Sequence, residues 1–307
     1  MGQYIVRRLL AVIPVLLGVT VATFLMLHLL PGDPIAAVLG SQGVDPAAVE
    51  QTRHSLGIDL PLLVQYGRFL VRVLHGDLGR SLLGRRPVLD SILDVFPSTL
   101  QLTVAALALA ILIGVSAGVM SAVGHHTWLD SLVMLMAIGG VAAPTFFIGL
   151  LLIFIFSVQL GWLPATGAGS PVSLLLPALT LGLPSSAVLA RLVRSSMLEI
   201  LQLDFIRTAR AKGLPGRSVI LRHALKNALI PVVTTIGIQL GALLGGTVII
   251  ETVFARPGLG QLMLQGVLNK DFPLVQGEVL FTAAIYVLLN ILVDLSYGVL
   301  DPRIRLS

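Results

Sequence analysis

The residues of this chain with the clearest capacity to bind a partner are the basic side chains of residues 204–231. The stretch lies between two long apolar segments. Its basic residues, six of the twenty in the chain, are Arg207, Arg210, Lys212, Arg217, Arg222 and Lys226. Arg207 and Arg210 are three residues apart and share a helix face, and Phe205 and Ile206 beside them are available to insert into a partner. Two interpretations are open: a cytoplasmic loop that lies on lipid headgroups, or a docking element for a soluble partner.

The other residue types that commonly do chemistry do not occur in the required patterns. The sequence has no G-x-x-x-x-G-K-[ST] phosphate loop, no G-x-S-x-G motif and no H-E-x-x-H motif, so neither a nucleotide site nor a hydrolase is indicated. Cysteine is absent, which excludes a disulfide framework and thiolate chemistry. The histidines show no metal-ligand spacing, and His125 and His126 are predicted to lie solvated in a tight turn. No catalytic residue, metal site or bound cofactor is therefore predicted.

The local pattern of residues 204–231 predicts two short helices. The break between them falls at residues 213–216, where Gly213 and Gly216 free the backbone and Pro215 removes a hydrogen-bond donor. In the second helix, apolar residues recur at helical spacing on the side opposite Arg222 and Lys226. A basic loop with two helices is more than a simple connector requires.

The composition places this loop in an integral membrane protein. Hydrophobic residues make up 56% of the 307-residue chain and charged residues 11%, and the mean hydropathy is +0.96. A soluble domain of this size carries about 25% charged residues. The net charge of +5 does not indicate a nucleic-acid partner, because the basic residues cluster beside apolar segments, as the positive-inside rule predicts.

Six apolar segments are long enough to cross about 30 Å of hydrocarbon. They cover residues 9–30, 98–123, 130–160, 173–192, 228–250 and 278–300. The predicted fold class is an all-α integral membrane protein with six transmembrane helices, a cytoplasmic loop and a helical outer insertion. An even number of spans, with the first entering from the cytoplasm, places both termini inside, where basic residues then outnumber acidic ones.

This topology divides the chain into four parts. Residues 1–30 hold the N-terminal tail and first transmembrane helix, and residues 31–97 form the extracytoplasmic insertion, in which residues 61–75 predict an amphipathic helix. Residues 98–300 form a five-helix core with the loop at 204–226, and residues 301–307 form a cytoplasmic tail. Residues 251–277 are predicted as a second outer loop that partly re-enters the membrane.

Glycine and proline mark special positions inside the apolar segments. Gly114 and Gly118 in the second segment are four residues apart, which favours close helix contact. In the third segment, Pro144 and the glycines before it predict a bend. In the fifth, glycines that align on one face allow another backbone to approach closely. These are Gly237, Gly241 and Gly245. Two interpretations of this stripe are open, packing within the chain or an interface with a partner subunit that lines a pathway.

Several motifs together resemble one family. Residues 207–213 (RTARAKG) and 227–231 (NALIP) resemble the cytoplasmic signature loop of ABC importer permeases, in particular the branch that carries dipeptides, oligopeptides, glutathione and nickel. Residues 76–81 (GDLGRS) and 254–260 (FARPGLG) resemble the same branch. The general family pattern has Glu-Ala-Ala before the glycine and a shorter step to the proline. The departures seen here suit the peptide branch.

The resemblance implies a function and a set of partners. The loop would be the coupling helix that sits in a groove of an ATPase subunit, with contacts from Phe205, Arg207, Thr208, Ala209, Arg210, Lys212 and Gly213. The implied partners are a second permease subunit, two ABC ATPase subunits, an extracytoplasmic substrate-binding protein and the lipid of a bacterial inner membrane. ATP and magnesium would be bound by the ATPases and not by this chain. The implied substrate is a dipeptide, an oligopeptide or a glutathione-like peptide, with nickel as the alternative.

Two other classes of function compete with this interpretation. An ATP-independent channel or secondary transporter would leave the basic loop unexplained, and no internal inverted repeat is visible to support it. A membrane enzyme would need a catalytic group that the sequence does not provide.

Overall fold

The computed structural model describes residues 2–29 and 60–300 of the chain. Within these residues the regular structure is helical, without a β-strand. In chain order the helices are α1 (Gly2–Leu29), α2 (Leu62–Leu74), α3 (Val88–Val123), α4 (Trp128–Ala142), α5 (Thr145–Leu152), α6 (Leu175–Leu201), α7 (Asp204–Ala211), α8 (Leu225–Val253), α9 (Leu259–Leu268) and α10 (Phe272–Leu300). Residues 31–59 of the predicted outer insertion and the tail at 301–307 lie outside the described residues.

The described helices confirm an all-α membrane protein. Four helical segments are long and apolar enough to span a membrane, and they cover Val88–Val123, Pro171–Leu201, Gly216–Val253 and Phe272–Val293. A fifth span is present if the bent pair formed by α4 and the helical segment Thr145–Gln159, which begins with α5, is counted as one. The predicted first span lies in α1, where the apolar stretch within the described part is Leu10–Met26. The count of six is therefore approximate, while the fold class is clear.

The bend predicted in the third apolar segment is confirmed. Helix α4 ends at Ala142, and the helical segment Thr145–Gln159 continues at 110° to it. Pro144 is the cause, because a proline disfavours helical geometry in the residue before it. Ala143 accordingly has an extended backbone, with φ −78° and ψ 134°.

Helix α3 begins before the membrane-spanning segment that the sequence indicates. It starts at Val88, whereas the apolar pattern starts at Ser98, so the last residues of the predicted insertion form its first turns. Asp90 and Asp94 lie in these turns, and Pro97 is inside the helix. Hydropathy marks where a helix enters the apolar phase and not where its hydrogen bonding begins.

The described residues form two compact units. The first combines the chain up to Pro97 with Pro257–Ile291. In it, the predicted amphipathic helix is α2, which packs Phe69 beside Phe24 of α1 at a ring-centroid distance of 5.9 Å. Tyr66 adds a hydrogen bond between its hydroxyl and Thr20 Oγ1 at 3.0 Å. Helix α2 therefore rests on α1 through its apolar face.

The second unit combines Ser98–Arg256 with the residues from Leu292, and α6 lies at its centre. The apolar window of the α6 span is 61% buried, against 33% or less for the other spans. The predicted close contact of Gly114 and Gly118 is confirmed, because a Cβ at either position would lie 2.7 Å from a carbonyl oxygen of α6, that of Ser186 or Ala190. Helices α3 and α6 therefore touch backbone to backbone.

Candidate functional site: the loop between α6 and α8

Helix α7, the first helix of the basic loop, is attached to the second unit by its inner face. Ile206 and Ala209 are three residues apart on that face, with 0% and 8% of their surface exposed. They belong to a core that also contains Met197 of α6, and Val219 and Ala224 from the start of the next helical segment. Burial of these side chains fixes α7 against both helical segments that flank it.

The outer face of α7 combines apolar and basic side chains. Phe205 is 43% exposed, and Arg207, Thr208, Arg210 and Lys212 are all exposed. The hydrogen bond that Arg207 makes within the loop is weak. Arg207 Nη1 lies 3.4 Å from Asp204 Oδ1, and both side chains are largely in solvent, where such pairs contribute little. We name this outer face, defined by these five residues, the coupling surface after its predicted role.

The structure corrects one part of the sequence interpretation. Ile206 is not available for insertion into a partner, because it is completely buried in the core of its own chain. Ala209 of the predicted coupling residues also points inward. Its contribution to coupling is therefore expected to act through the position of α7.

Gly213 ends α7 in a conformation that favours glycine. Its φ is +76°, and the turn has the two hydrogen bonds of a Schellman motif, from Gly213 N to Arg210 O at 3.0 Å and from Leu214 N to Ala209 O at 3.3 Å. A Cβ at Gly213 would meet no atom within 4 Å. Any effect of a substitution here therefore comes from backbone strain or from contact with a partner.

A matched pair of substitutions at Gly213 separates these causes. Asn and Asp have the same shape and both tolerate the left-handed region, so Gly213→Asn is expected to retain ATPase binding while Gly213→Asp weakens it through the added negative charge. Copurification of the ATPase subunits with each variant, at equal permease yield, measures the difference. Equal retention by both variants would contradict a role for this turn in ATPase contact.

The predicted break at residues 213–216 is confirmed, but the predicted second short helix is wrong. The chain turns helical again at Gly216 and continues through Val253 as a single membrane-length segment. The stretch Val219–Ala224 is π-helical and leads directly into α8. A π-helix has one extra residue per hydrogen-bonded turn, and it carries no simple compositional signal.

A buried polar cluster next to the loop was not predicted. Asp130 near the start of α4 is 6% exposed and receives two hydrogen bonds from Arg194 of α6, from Nε to Oδ1 at 2.7 Å and from Nη2 to Oδ2 at 2.8 Å. Ser121 of α3, which is fully buried, donates to Oδ1 of the same carboxylate. We call these residues, together with His125 and His126 described next, the Asp130 cluster.

The two adjacent histidines are exposed and lie in a turn, as predicted, but both also contact Asp130. His125 Nδ1 lies 3.1 Å from Asp130 Oδ2, and the backbone N–H of His126 donates to the same oxygen at 3.3 Å. The cluster thus joins the α3–α4 turn to α6 through Arg194. Helix α6 ends at Leu201, only two residues before α7, so the cluster holds the helix from which the coupling surface extends.

The three glycines of the α8 stripe do not all pack against the same part of the chain. A Cβ at Gly237 would lie 2.2 Å from Cγ1 of Val293 in α10, so this glycine serves internal packing. Gly241 is buried, whereas Gly245 is exposed and a Cβ there would meet no atom within 4 Å. Within the described residues, internal packing explains one end of the stripe and leaves the Gly245 end open to a partner.

Solved structures of transporters share this fold. One structure of the MetNI methionine ABC transporter in an inward-facing conformation aligns with a TM-score of 0.57 at 21% identity, covering 66% of this chain and 93% of that chain. A crystal structure of an amino acid ABC transporter with histidines aligns with a TM-score of 0.51 at 17% identity, covering 76% and 98%. At this identity the similarity concerns the fold alone.

Curated relatives are much more similar in sequence. The glutathione transport system permease protein GsiC of Pectobacterium atrosepticum is 46% identical over 305 residues, covering 99% of each chain. The protein of the same name from Escherichia coli strain K12 is 44% identical with the same coverage.

Two family descriptions together match nearly the whole sequence. Residues 1–103 match the N-terminal part described as "Binding-prot-dependent transport system membrane comp, N-term". Residues 110–306 match "Binding-protein-dependent transport system inner membrane component". The chain therefore belongs to the family of binding-protein-dependent transport system inner membrane components, and it is a multi-pass permease subunit of an ABC importer.

Proposed function

We propose that this chain forms half of a pathway that imports glutathione or related short peptides across a bacterial inner membrane. The support for the substrate class is the full-length similarity to glutathione transport system permease proteins, at 44–46% identity. The energy comes from ATP, which separate ATPase subunits bind with magnesium and hydrolyse. The chain itself needs no cofactor for this role.

The observation that carries the proposal is the coupling surface on α7. A helix with Ile206 and Ala209 buried beneath it and Phe205, Arg207 and Arg210 in solvent is rigidly placed but open to a soluble partner. Phe and Arg are among the residues enriched in protein interfaces, and both are present on the exposed part of α7. A loop that lay on lipid headgroups could carry the same residue types, so it is the full-length similarity to ABC importer permeases that favours the soluble partner.

The importer we propose contains four further subunits around this chain. A second permease subunit completes the pathway, two ABC ATPase subunits bind on the cytoplasmic side, and an extracytoplasmic substrate-binding protein delivers the peptide. The exposed Gly245 end of α8 is a candidate for contact with the second permease subunit. Both termini and the α7 loop lie in the cytoplasm in this arrangement, which agrees with the clustering of basic residues in the loop.

The mechanism follows from how α7 is attached. Binding of ATP closes the pair of ATPase subunits, and α7 moves with the groove of the ATPase subunit that holds it. Its inner face shares a core with Met197 of α6 and with Val219 and Ala224 at the start of the next span. Both helical segments are therefore expected to move with it, which changes the side of the membrane to which the pathway opens.

Purification and uptake test the proposal together. The chain is isolated from native membranes and its partners are identified by mass spectrometry, and uptake of labelled glutathione, dipeptides and Ni²⁺ is compared in cells with and without the chain. Recovery of a second permease and ATPases, with glutathione or peptide uptake that depends on ATP, is the expected result. Uptake of Ni²⁺ alone would overturn the proposed substrate class. Transport by the isolated chain in ATP-free liposomes would overturn the proposal that the chain works in an ATP-driven importer.

A further inference from the structure

A cavity of about 650 Å³ lies at one end of the second unit. It lies between a face of α3, which contributes Gln101 and Val104, and the segment that leads into α6, which contributes Ser170 and Leu174. The lining is mostly apolar, with Arg256 as its one charged residue. Small-molecule sites have volumes of roughly 300–1,000 Å³ and an apolar lining with a few polar groups, and this cavity fits that description.

Arg256 is unusual among the residues that line the cavity because it is almost completely buried. Only 2% of its surface is exposed. Its guanidinium makes one long hydrogen bond, from Nη2 to Gln101 Oε1 at 3.4 Å. Its Nε is buried and has no hydrogen-bond partner among the described residues. A guanidinium has five N–H donors, and a buried cation with so few partners is costly to the fold.

The backbone holds Arg256 in this place. Its N–H donates to Glu251 O at 2.8 Å, and the N–H of Ala255 donates to Thr252 O at 3.2 Å. Ala255 has φ +46°. These two hydrogen bonds and the left-handed residue form a Schellman turn at the end of α8, which fixes the direction in which the chain leaves the helix.

The nearby acid does not remove the need for a further partner. Glu251 is completely buried, and its Oε1 accepts a hydrogen bond from Thr99 Oγ1 at 2.6 Å. Its charge favours the charged form of Arg256, but burial outweighs this and lowers the pKa of the guanidinium. Arg256 lines the cavity, and among the described residues Gln101 is the one side chain that accepts a hydrogen bond from its guanidinium. A carboxylate matches a guanidinium in shape because it can accept two parallel hydrogen bonds.

We infer that the cavity beside Arg256 binds a carboxylate of the transported peptide, with Arg256 as the residue that recognises it. The inference rests on the proposed function. The cavity is near the start of α6, and α7 follows the other end of that helix, whose 27 residues span about 40 Å. Substrate contact and ATPase contact therefore fall at opposite ends of the same helix. A cavity open on one side is also what a subunit that supplies half of a pathway presents.

Uptake of matched acid and amide substrates tests the inference in cells that contain the complete importer. The substrates are glutathione and a dipeptide, each as the free acid and with single carboxyl groups amidated. The variants are Arg256→Gln, Arg256→Lys and, as a control that changes the lining without changing charge, Leu174→Ala. The quantity compared is the acid-to-amide ratio of uptake efficiency, because the preference of the binding protein is the same for all variants and cancels.

We expect the acid-to-amide ratio to fall about tenfold or more in Arg256→Gln, since a charge-assisted hydrogen bond is lost only for the acid. Arg256→Lys should retain part of the ratio, and Leu174→Ala should change acid and amide uptake by the same factor. An unchanged ratio in Arg256→Gln would mean that Arg256 serves the fold or binds a lipid phosphate, and it would overturn the inference. An equal fall of the acid-to-amide ratio in Leu174→Ala would also overturn the inference. Failure of the wild-type complex to take up any peptide would overturn the proposed function and this inference together.

Discussion

Replacing Phe205 with alanine is expected to release the ATPase subunits while leaving the permease folded. Phe205 is 43% exposed within the coupling surface, so its loss removes little from the chain's own core. Aromatic anchors of interfaces commonly cost about 2 kcal/mol when truncated, which corresponds to a roughly 30-fold weaker complex. The measurement is the affinity of purified ATPase subunits for permease complexes in detergent, together with ATP-driven uptake.

The neighbouring residue provides a matched control with the opposite expectation. Ile206 is fully buried, and Ile206→Ala should destabilise the region around α7 by about 3 kcal/mol through the lost contacts and the cavity left behind. Thermal unfolding in detergent should therefore shift for Ile206→Ala and not for Phe205→Ala. If Phe205→Ala instead unfolds the permease, or leaves ATPase affinity at the wild-type value, the coupling surface is assigned wrongly.

Removing Arg194 is expected to have the second large effect, on the stability of the permease. Arg194→Met leaves the Asp130 carboxylate buried without its two strongest donors. Loss of one partner of a buried ion pair costs about 3–5 kcal/mol, and the lower end applies here because Arg194 is 24% exposed. The expected result is a clear drop in the thermal unfolding temperature and reduced uptake.

A second substitution distinguishes a charge effect from a loss of packing. The double variant Asp130→Leu/Arg194→Met replaces the pair by apolar side chains and should recover much of the lost stability. The exchange of charges, Asp130→Arg with Arg194→Asp, should recover less, because the longer arginine side chain would have to fit where the buried Asp130 carboxylate lies against Ser121. Recovery by the exchanged pair would show that only the sum of the charges matters.

The sequence indicates well those features that depend on local chemistry. The bend at Pro144 and the end of α7 before Gly213 are both confirmed, since proline geometry and the left-handed region act within a few residues. The close approach of Gly114 to α6 is confirmed for a similar reason, because a small residue permits contact wherever a neighbouring helix exists.

Features that depend on distant residues or on small changes of helix geometry are not visible in the sequence. The Asp130 cluster joins Ser121, Asp130 and Arg194, and the last two are separated by 64 residues, so no spacing rule links them. The continuity of residues 216–253 was missed because the charged positions suggested an isolated amphipathic helix. Ile206 was assigned outward because helical periodicity gives the faces of a helix but not which face meets the core. The burial of Arg256 likewise depends on a distant element, α3, which places Gln101 beside its guanidinium.

The short connections of α7 have a mechanical consequence. Two residues separate α7 from α6, and four separate it from the helical segment that begins at Gly216. Both connections are also closed by hydrogen bonds, such as that from Leu203 N to Ile200 O at 3.1 Å. A movement of one helix is lost where the connection to the next helix is flexible. The two connections of α7 are short and hydrogen-bonded. A displacement of a few ångströms at the cytoplasmic surface is therefore expected to reach two membrane spans almost undiminished, without first being absorbed by a flexible linker.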